Sequence, residues 1–295
     1  MSTHASRLSA IAVAIVACTA LSGCIIVVHE SENASAYRHE SMYKETRAIT
    51  VPHVRGSGIE VETANGAVTI SRADRTDVRI TAEIRATSRS RLEQTEVVAH
   101  RDANGMLIVG VDWADGKRGH NEACSFTIQV PEAIGVRIRT SNGAVKIADL
   151  GGPADLDTSN GAITVRGQAG PIHARTTNGR IELTHAADAV TAETTNGSVR
   201  VELADEAAGP VIISTSNGRV DLEVGRSFAG VLDARTSNGS IRLTHMAGAI
   251  TSESRTHARI EFDDQGERST IDTSNGTIVV RGRERAGDAP DGTGG

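Results

Sequence analysis

Residues 172–203 read IHARTTNGRIELTHAADAVTAETTNGSVRVEL, two copies of one phrase 18 residues apart. The phrase is Thr-Ser/Thr-Asn-Gly. It begins at Thr140, Thr158, Thr176, Thr194, Thr215, Thr236 and Thr273, in steps of 18, 18, 18, 21, 21 and then 37 residues. Thr63-Ala64-Asn65-Gly66 is an outlying relative, and a degenerate copy near Thr256-His257-Ala258 falls inside the long step. A near-constant period over half a chain marks stacked copies of one supersecondary unit. Apolar and polar residues alternate around each copy: Val190, Ala192 and Thr194 precede Asn196, and Val199 and Val201 follow it. Alternation on both sides of a turn signal is strand–turn–strand. Asn-Gly suits the turn because both residues tolerate positive φ. A second turn follows each copy, often with glycine, as at Gly151-Gly152, Gly167, Gly170, Gly209, Gly230 and Gly248.

Such units can run as an antiparallel meander or stack as a parallel solenoid. The outward charges discriminate. Three residues before the Asn stand Arg139, Asp157, Arg175 and Glu193; four after it stand Glu182, Arg200, Asp221, Arg242 and Glu261. Both rows alternate in sign from copy to copy. In a solenoid these residues lie across neighbouring strands, where opposite charges stabilise. In a meander they lie two strands apart, roughly 9–10 Å, and alternation gains little. The expected fold is therefore all-β: a right-handed parallel β-solenoid, β-helix-like, with 18–21 residues per coil and a less regular N-terminal β region. The hand follows from the rule for parallel crossovers. Asn142-Gly143, Asn160-Gly161, Asn178-Gly179, Asn196-Gly197, Asn217-Gly218, Asn238-Gly239 and Asn275-Gly276 should stack as a structural turn ladder. Alanine at several inward positions implies a thin aliphatic core. The break at Ser254-Arg255-Thr256-His257 reads as a bulge carrying one extra residue.

The N-terminus has another purpose. Arg7, an apolar run from Leu8 to Leu21 and then Ser22-Gly23-Cys24 form a signal peptide. Leu21-Ser22-Gly23-Cys24 resembles the bacterial lipobox, which implies cleavage before Cys24 and lipidation of that cysteine. Ile25 in place of Asp implies outer-membrane sorting if the source is Gram-negative. The expected organisation is a signal peptide over 1–23, a polar tether over 24–46, an irregular β region capping the solenoid over 47–135, the repeats over 136–281 and a disordered tail over 282–295. Without residues 1–23 the chain keeps 30 basic and 37 acidic residues, a net charge of −7. No basic stripe interleaved with aromatics points to nucleic acid. Cys18 leaves with the signal and Cys24 carries lipid, so Cys124 stands alone. It opens the alternating run 124–130 and reads as a small buried apolar residue.

The run Phe126-Thr-Ile-Gln-Val-Pro131, then Val136-Arg-Ile-Arg-Thr-Ser-Asn-Gly143, then repeated T-x-N-G-x-[VI] resembles the bacterial "putative adhesin" β-strand-repeat family. The resemblance covers roughly residues 47–281. It implies an envelope protein of unknown function and supplies no catalytic residues.

No P-loop, dinucleotide fingerprint, H-E-x-x-H motif or nucleophile elbow occurs. Asp155, Asp157 and His173 share an outward face and form the one constellation worth testing for acid–base chemistry. Their alternation with Arg137, Arg139 and Arg175 reads better as a charge ladder. His185 and His245 recur within Leu-Thr-His and belong to turns. No catalytic residue, metal site or cofactor is expected. The expectation is a non-enzymatic β-solenoid lipoprotein of the cell envelope, adhesin-like, structural or stress-related. Its partners would be the bilayer through Cys24 and an envelope or extracellular molecule. The alternative is a carbohydrate-active lyase or hydrolase on a β-helix.

Overall fold

The computed structural model describes residues 42–262 and 266–283; Cys24, the signal segment and most of the expected tether and tail lie outside them. Among the described residues the fold is all-β, with one short α-helix, α1 (Arg89–Gln94), and a 3-10 turn at Ala114–Gly116. Two large mixed sheets hold 11 and 12 strands among the described residues. The repeats supply paired strands joined at Asn-Gly: β8 (Val136–Asn142) and β9 (Val145–Ala148), β10 (Ala154–Thr158) and β11 (Ile163–Arg166), β12 (Ile172–Thr176) and β13 (Ile181–Ala186), β14 (Val190–Asn196) and β15 (Val199–Leu203), and β16 (Val211–Asn217) and β17 (Val220–Val224). The first strand of each pair enters the larger sheet and the second the smaller.

Within each sheet these copies pair parallel, position on position. Thr158 lies opposite Thr140 and Thr176. Glu182 lies opposite Arg200, and Arg200 opposite Asp221. The inward rows Ile138, Leu156, Ala174, Ala192, Ile213 and Ile147, Val165, Leu183, Val201, Leu222 are buried in one aliphatic cluster. Small residues in the first row set how thin that layer is.

Chain order departs from spatial order at both ends. β2 (Ile59–Asn65) and β3 (Val68–Arg72) form a full repeat unit, with Asn65 opposite Asn142 and Val68 opposite Val145. The irregular region is thus narrower than 47–135 implies. β6 (Leu107–Asp112) and β7 (Ala123–Val130) lie parallel on the other side of that unit. β1 (Tyr43–Pro52) and β4 (Asp77–Ala86) extend the smaller sheet antiparallel, and β5 (Glu96–Arg101) ends the larger one. Residues 43–46, read as tether, already belong to β1. At the other end β18 (Val231–Asn238) and β19 (Ile241–Thr244) do not pair with β16 and β17. β22 (Arg268–Asn275) and β23 (Ile278–Gly282) lie between them.

The break near Ser254 is a hairpin turn, not a bulged repeat. β21 (His257–Glu261) runs antiparallel to β18, and β20 (Ala249–Glu253) antiparallel to β21. A bulge does occur, but within β20, between Ile250 and Ser252. The expected charge row is therefore cut. Val279 separates Asp221 from Arg242, and Glu261 belongs to the other sheet. Arg283, read as tail, bonds Glu223, Asp205 and Glu202 at 2.9, 3.0 and 2.8 Å.

The N-terminal end of the core has a lid. Leu92 of α1 is buried at one end, and Arg47 donates to the carbonyls of Leu92 and Thr95 at the helix C-terminus. Phe228 and Phe262 meet edge to face, 4.9 Å apart, toward the other end. The N-terminal lid depends on Glu122, whose side chain is fully buried. Hydrogen bonds from Arg91 at 2.6 and 2.9 Å hold its carboxyl down at about 2 against burial, with help from Gly119 and Thr87. Unfolded, that carboxyl titrates near its ordinary 4.5. A depressed carboxylate stabilises the fold above the unfolded value, here by about 3 kcal/mol, and the contribution disappears as pH falls through the folded one. Glu122→Gln should lose most of it at neutral pH. Urea unfolding of both proteins from pH 7 down to 2 checks this. The curves should converge between about 4.5 and 2.

Candidate functional site

The Asn-Gly edge is a continuous hydrogen-bonded ladder. Asn142, Asn160, Asn178, Asn196, Asn217, Asn275 and Asn238 each donate Nδ2 to the Oδ1 of the preceding rung at 2.7–3.0 Å. The first acceptor is Asn65, whose own Nδ2 reaches the Glu122 carbonyl at 3.2 Å. A parallel row runs beside it: Thr158, Thr176, Thr194 and Thr215 donate Oγ1 to Gly143, Gly161, Gly179 and Gly197 at 3.1 Å. Arg255 Nε caps the far end on the Gly239 carbonyl, 3.2 Å away.

The repeat glycines are needed for a different reason than turn conformation. Gly143, Gly161, Gly179, Gly197, Gly218, Gly239 and Gly276 do not take positive φ. A Cβ on any of them would lie 1.8–1.9 Å from the carbonyl oxygen of the glycine stacked against it. The left-handed positions fall at the second turn, where Asp149, His185 and His245 have φ of 57, 54 and 54°. Aspartate and histidine are among the side chains that tolerate this region best. His185 sits at the register shift of β13.

The outer face of the larger sheet carries the charge ladder. Asp155 lies 3.3 Å from Arg137 and 3.8 Å from His173. Arg175 pairs with Glu193 at 2.8 Å, and Arg139 with Glu60 at 3.8 Å. Asp157 lies between Arg139 and Arg175 in register, yet both arginines turn to other partners. Asp155, Asp157 and His173 therefore share one open face, and neither hollow described below includes them. Cys124 is buried, and burial pushes its thiol up to about 12, which removes it as a nucleophile.

The same face changes character toward the hairpin. A groove of about 450 Å³ is lined by Ser214, Ser216, Ser237, Ser274, Thr256, His257, Arg235 and Asp272, among others. Ser214, Asp272, Arg235 and His257 stand in one register row across β16, β22, β18 and β21. Asp272 is exposed and has no ion pair among the described residues. Arg235 instead points to Asp233, 3.7 Å away. Asp233 is buried among Arg268, Arg259 and His257. Burial pushes its carboxyl up. Hydrogen bonds from Arg268 and His257, with the charges of Arg268 and Arg259, outweigh that and bring it below the ordinary range.

The sequence reading marked Thr256 and His257 only as a break in the repeat and gave none of these residues a binding role. Asp272 occupies the same place before its Asn as Asp157, and that was the one available signal. A second hollow, about 760 Å³, lies among loops bearing His53, Arg55, Arg72, Asp74, Glu132 and Asp149. Its charges are mixed, and His53 reaches Glu132 at 3.5 Å.

Residues 186–262 match the model of a domain of unknown function, DUF7330. A search of curated proteins found no match. The chain resembles the "putative adhesin" proteins. One from Bacteroides fragilis is 13% identical, over 80% of this chain and 97% of that one, with a TM-score of 0.45. A "putative cell adhesion protein" from Clostridium sporogenes is 12% identical, over 81% and 100%, with a TM-score of 0.34. A "putative lipid binding protein" from Parabacteroides distasonis is 12% identical, over 82% and 97%, with a TM-score of 0.30. The function of this group is unknown.

Proposed function

We propose that the chain is a non-enzymatic lipoprotein of the cell envelope, anchored to the bilayer through Cys24 and built as a right-handed parallel β-solenoid. It holds a rigid, polar surface away from the membrane for an envelope or extracellular partner. The observation that carries this reading is the outer face of the larger sheet. Its carboxylates Asp155, Asp157 and Glu193 lie open, in register with cations, and the groove on that face is lined mainly by hydroxyl groups. A hydrolase or lyase needs a carboxyl whose protonation is tuned by enclosure; Asp155 and Asp157 have no such enclosure, and the buried Asp233 is held ionised, below its ordinary range, by Arg268 and His257. Stacking ladders of identical polar groups make the scaffold stiff, which suits display.

Two measurements test the reading. Cells expressing Cys24→Ala should fail to take up labelled palmitate and should release the protein from the membrane fraction; retained label would end the anchoring half. The mature chain should turn over no envelope polysaccharide. Asp155→Asn with Asp157→Asn should change stability by only about 0–1 kcal/mol per site. Turnover that vanishes in the folded double variant would replace display with catalysis.

A further inference from the structure

We infer, resting on the display reading above, that the partner is a neutral polysaccharide and that a stretch of it binds the groove across β16, β22, β18 and β21. At about 450 Å³ the groove falls within the roughly 300–1,000 Å³ of small-ligand sites. Its hydroxyls divide into two sets. Thr215, Thr236 and Thr273 are buried and spend Oγ1 on glycine carbonyls at 3.1, 3.0 and 3.4 Å. Ser214, Ser216, Ser237, Ser274 and Thr256 make no hydroxyl hydrogen bond among the described residues. Each can donate once and accept twice.

The charged groups of the groove are uncommitted too. Asp272 has no partner among the described residues, although Arg235 is its register neighbour. Arg235 approaches Asp233 at 3.7 Å, beyond hydrogen-bond reach, so its planar fork of N–H donors is unused. His257 turns Nε2 to Asp233 at 3.4 Å and leaves Nδ1 over. A carboxylate that accepts from one hydroxyl beside a guanidinium that donates to the next matches the adjacent hydroxyls of a sugar ring.

Net charge selects no ion here. Arg235, Arg255, Arg259 and Arg268 stand against Asp233, Asp272, Glu253, Glu261 and Glu267, so the field nearly cancels. The alternating charge ladder also stops at this place, because Glu193 has Ser214 opposite it where a cation would follow. Ile212, two residues before Ser214 and 41% exposed, gives the same face a C–H surface. Sugar rings carry both hydroxyls and C–H patches; phosphate and metal ions have no C–H surface to offer. The free hydroxyls continue beyond the groove. Thr195, Thr177, Ser159 and Ser141 follow the repeat threonine as Ser216 does, one to each unit, exposed and without a hydroxyl hydrogen bond among the described residues. Strands stand about 4.8 Å apart, so a chain leaving the groove along the stack meets a fresh hydroxyl at every unit. The two rows beside it, threonine to glycine and asparagine to asparagine, are already spent within the fold.

The test titrates the whole mature chain with Cys24→Ser, which carries no lipid, in a calorimeter. The probes are cellotetraose, maltotetraose, tetra-N-acetylchitotetraose and inorganic phosphate. At least one tetrasaccharide should bind, more tightly than its own monomer, and equally in low and molar salt because screening acts on ions. Asp272→Asn and, separately, Arg235→Gln should each weaken that binding roughly tenfold or more, the loss expected of one hydrogen bond to a charged group. Both residues are exposed, and unchanged urea midpoints would show that both variants fold. Lys146→Gln, on β9 of the other sheet, should change nothing. No binding by any tetrasaccharide, phosphate bound in preference, or binding indifferent to both variants would overturn the groove as a polysaccharide site. Those results would leave the display reading standing, since palmitate labelling tests its anchor separately. Binding followed by release of shorter sugars would do the reverse, keeping the groove and ending the non-enzymatic reading.

Discussion

Gly197→Ala should destabilise the fold by about 3 kcal/mol or more. The added Cβ would lie 1.9 Å from the Gly179 carbonyl oxygen and 2.6 Å from its carbon. Neither atom can move alone. The same oxygen accepts from Thr194 at 3.1 Å, and the adjacent amides of Asn196 and Asn178 are locked at 2.9 Å. Relief therefore means parting two stacked turns, with loss of both side-chain rows at that rung. Gly105→Ala is the comparison. That residue has φ of 80° but nothing within 4 Å of its Cβ. Its cost should be the ordinary one for alanine in left-handed backbone, of order 1 kcal/mol. Denaturant midpoints of the two variants decide the matter. Equal costs would mean the turns are held apart in solution and the ladder contributes little.

That contrast shows what was legible in the sequence. The period and the alternation located the repeat strands from β8 to β17, because side-chain direction in a strand follows sequence parity strictly. Register was legible too. Glu182 and Arg200 stand opposite each other because one face is buried, so any slip would turn the apolar set outward. The reason for glycine was misread. Asn-Gly usually reports φ, whereas here it reports how closely two backbones approach, a fact about neighbouring units that one copy cannot reveal. Thr63-Ala64-Asn65-Gly66 looked peripheral, since its partner Asn142 is far away in sequence. The groove was invisible because Ser214, Arg235 and Asp272 become neighbours only through an exchange of unit order.

That exchange leads to the second large effect. Ending the chain after Phe262 should unfold residues 231–262 while the units up to β17 stay folded. The deleted β22 and β23 bring Ile271, Ile278, Val279 and Val280 to full or near-full burial. Each such side chain contributes roughly 1.5–3 kcal/mol, so the loss is on the order of 10 kcal/mol, comparable with the stability of a whole domain. The polar losses add to it. Ser269 no longer accepts the amide of Val211, and Arg268 no longer neutralises the buried Asp233. Arg283 no longer bridges Glu202 and Glu223, which face each other on β15 and β17. β18 and β19 cannot simply slide into the vacated place. Their hairpin β20–β21 is built on the far edge of β18, and sliding would set Ser214 and Asp221 against Arg235 and Arg242 but leave Asp233 without Arg268. Hydrogen exchange of the two chains gives the answer. Amides of 231–236 should be protected in the full chain and exchange freely in the shortened one. Ile271→Asp in the full-length chain, a single buried charge at the centre of β22, should reproduce the pattern. Protection that survives both changes would mean that β18 and β19 dock directly on β16 and β17, and that the last unit only decorates a stack already complete.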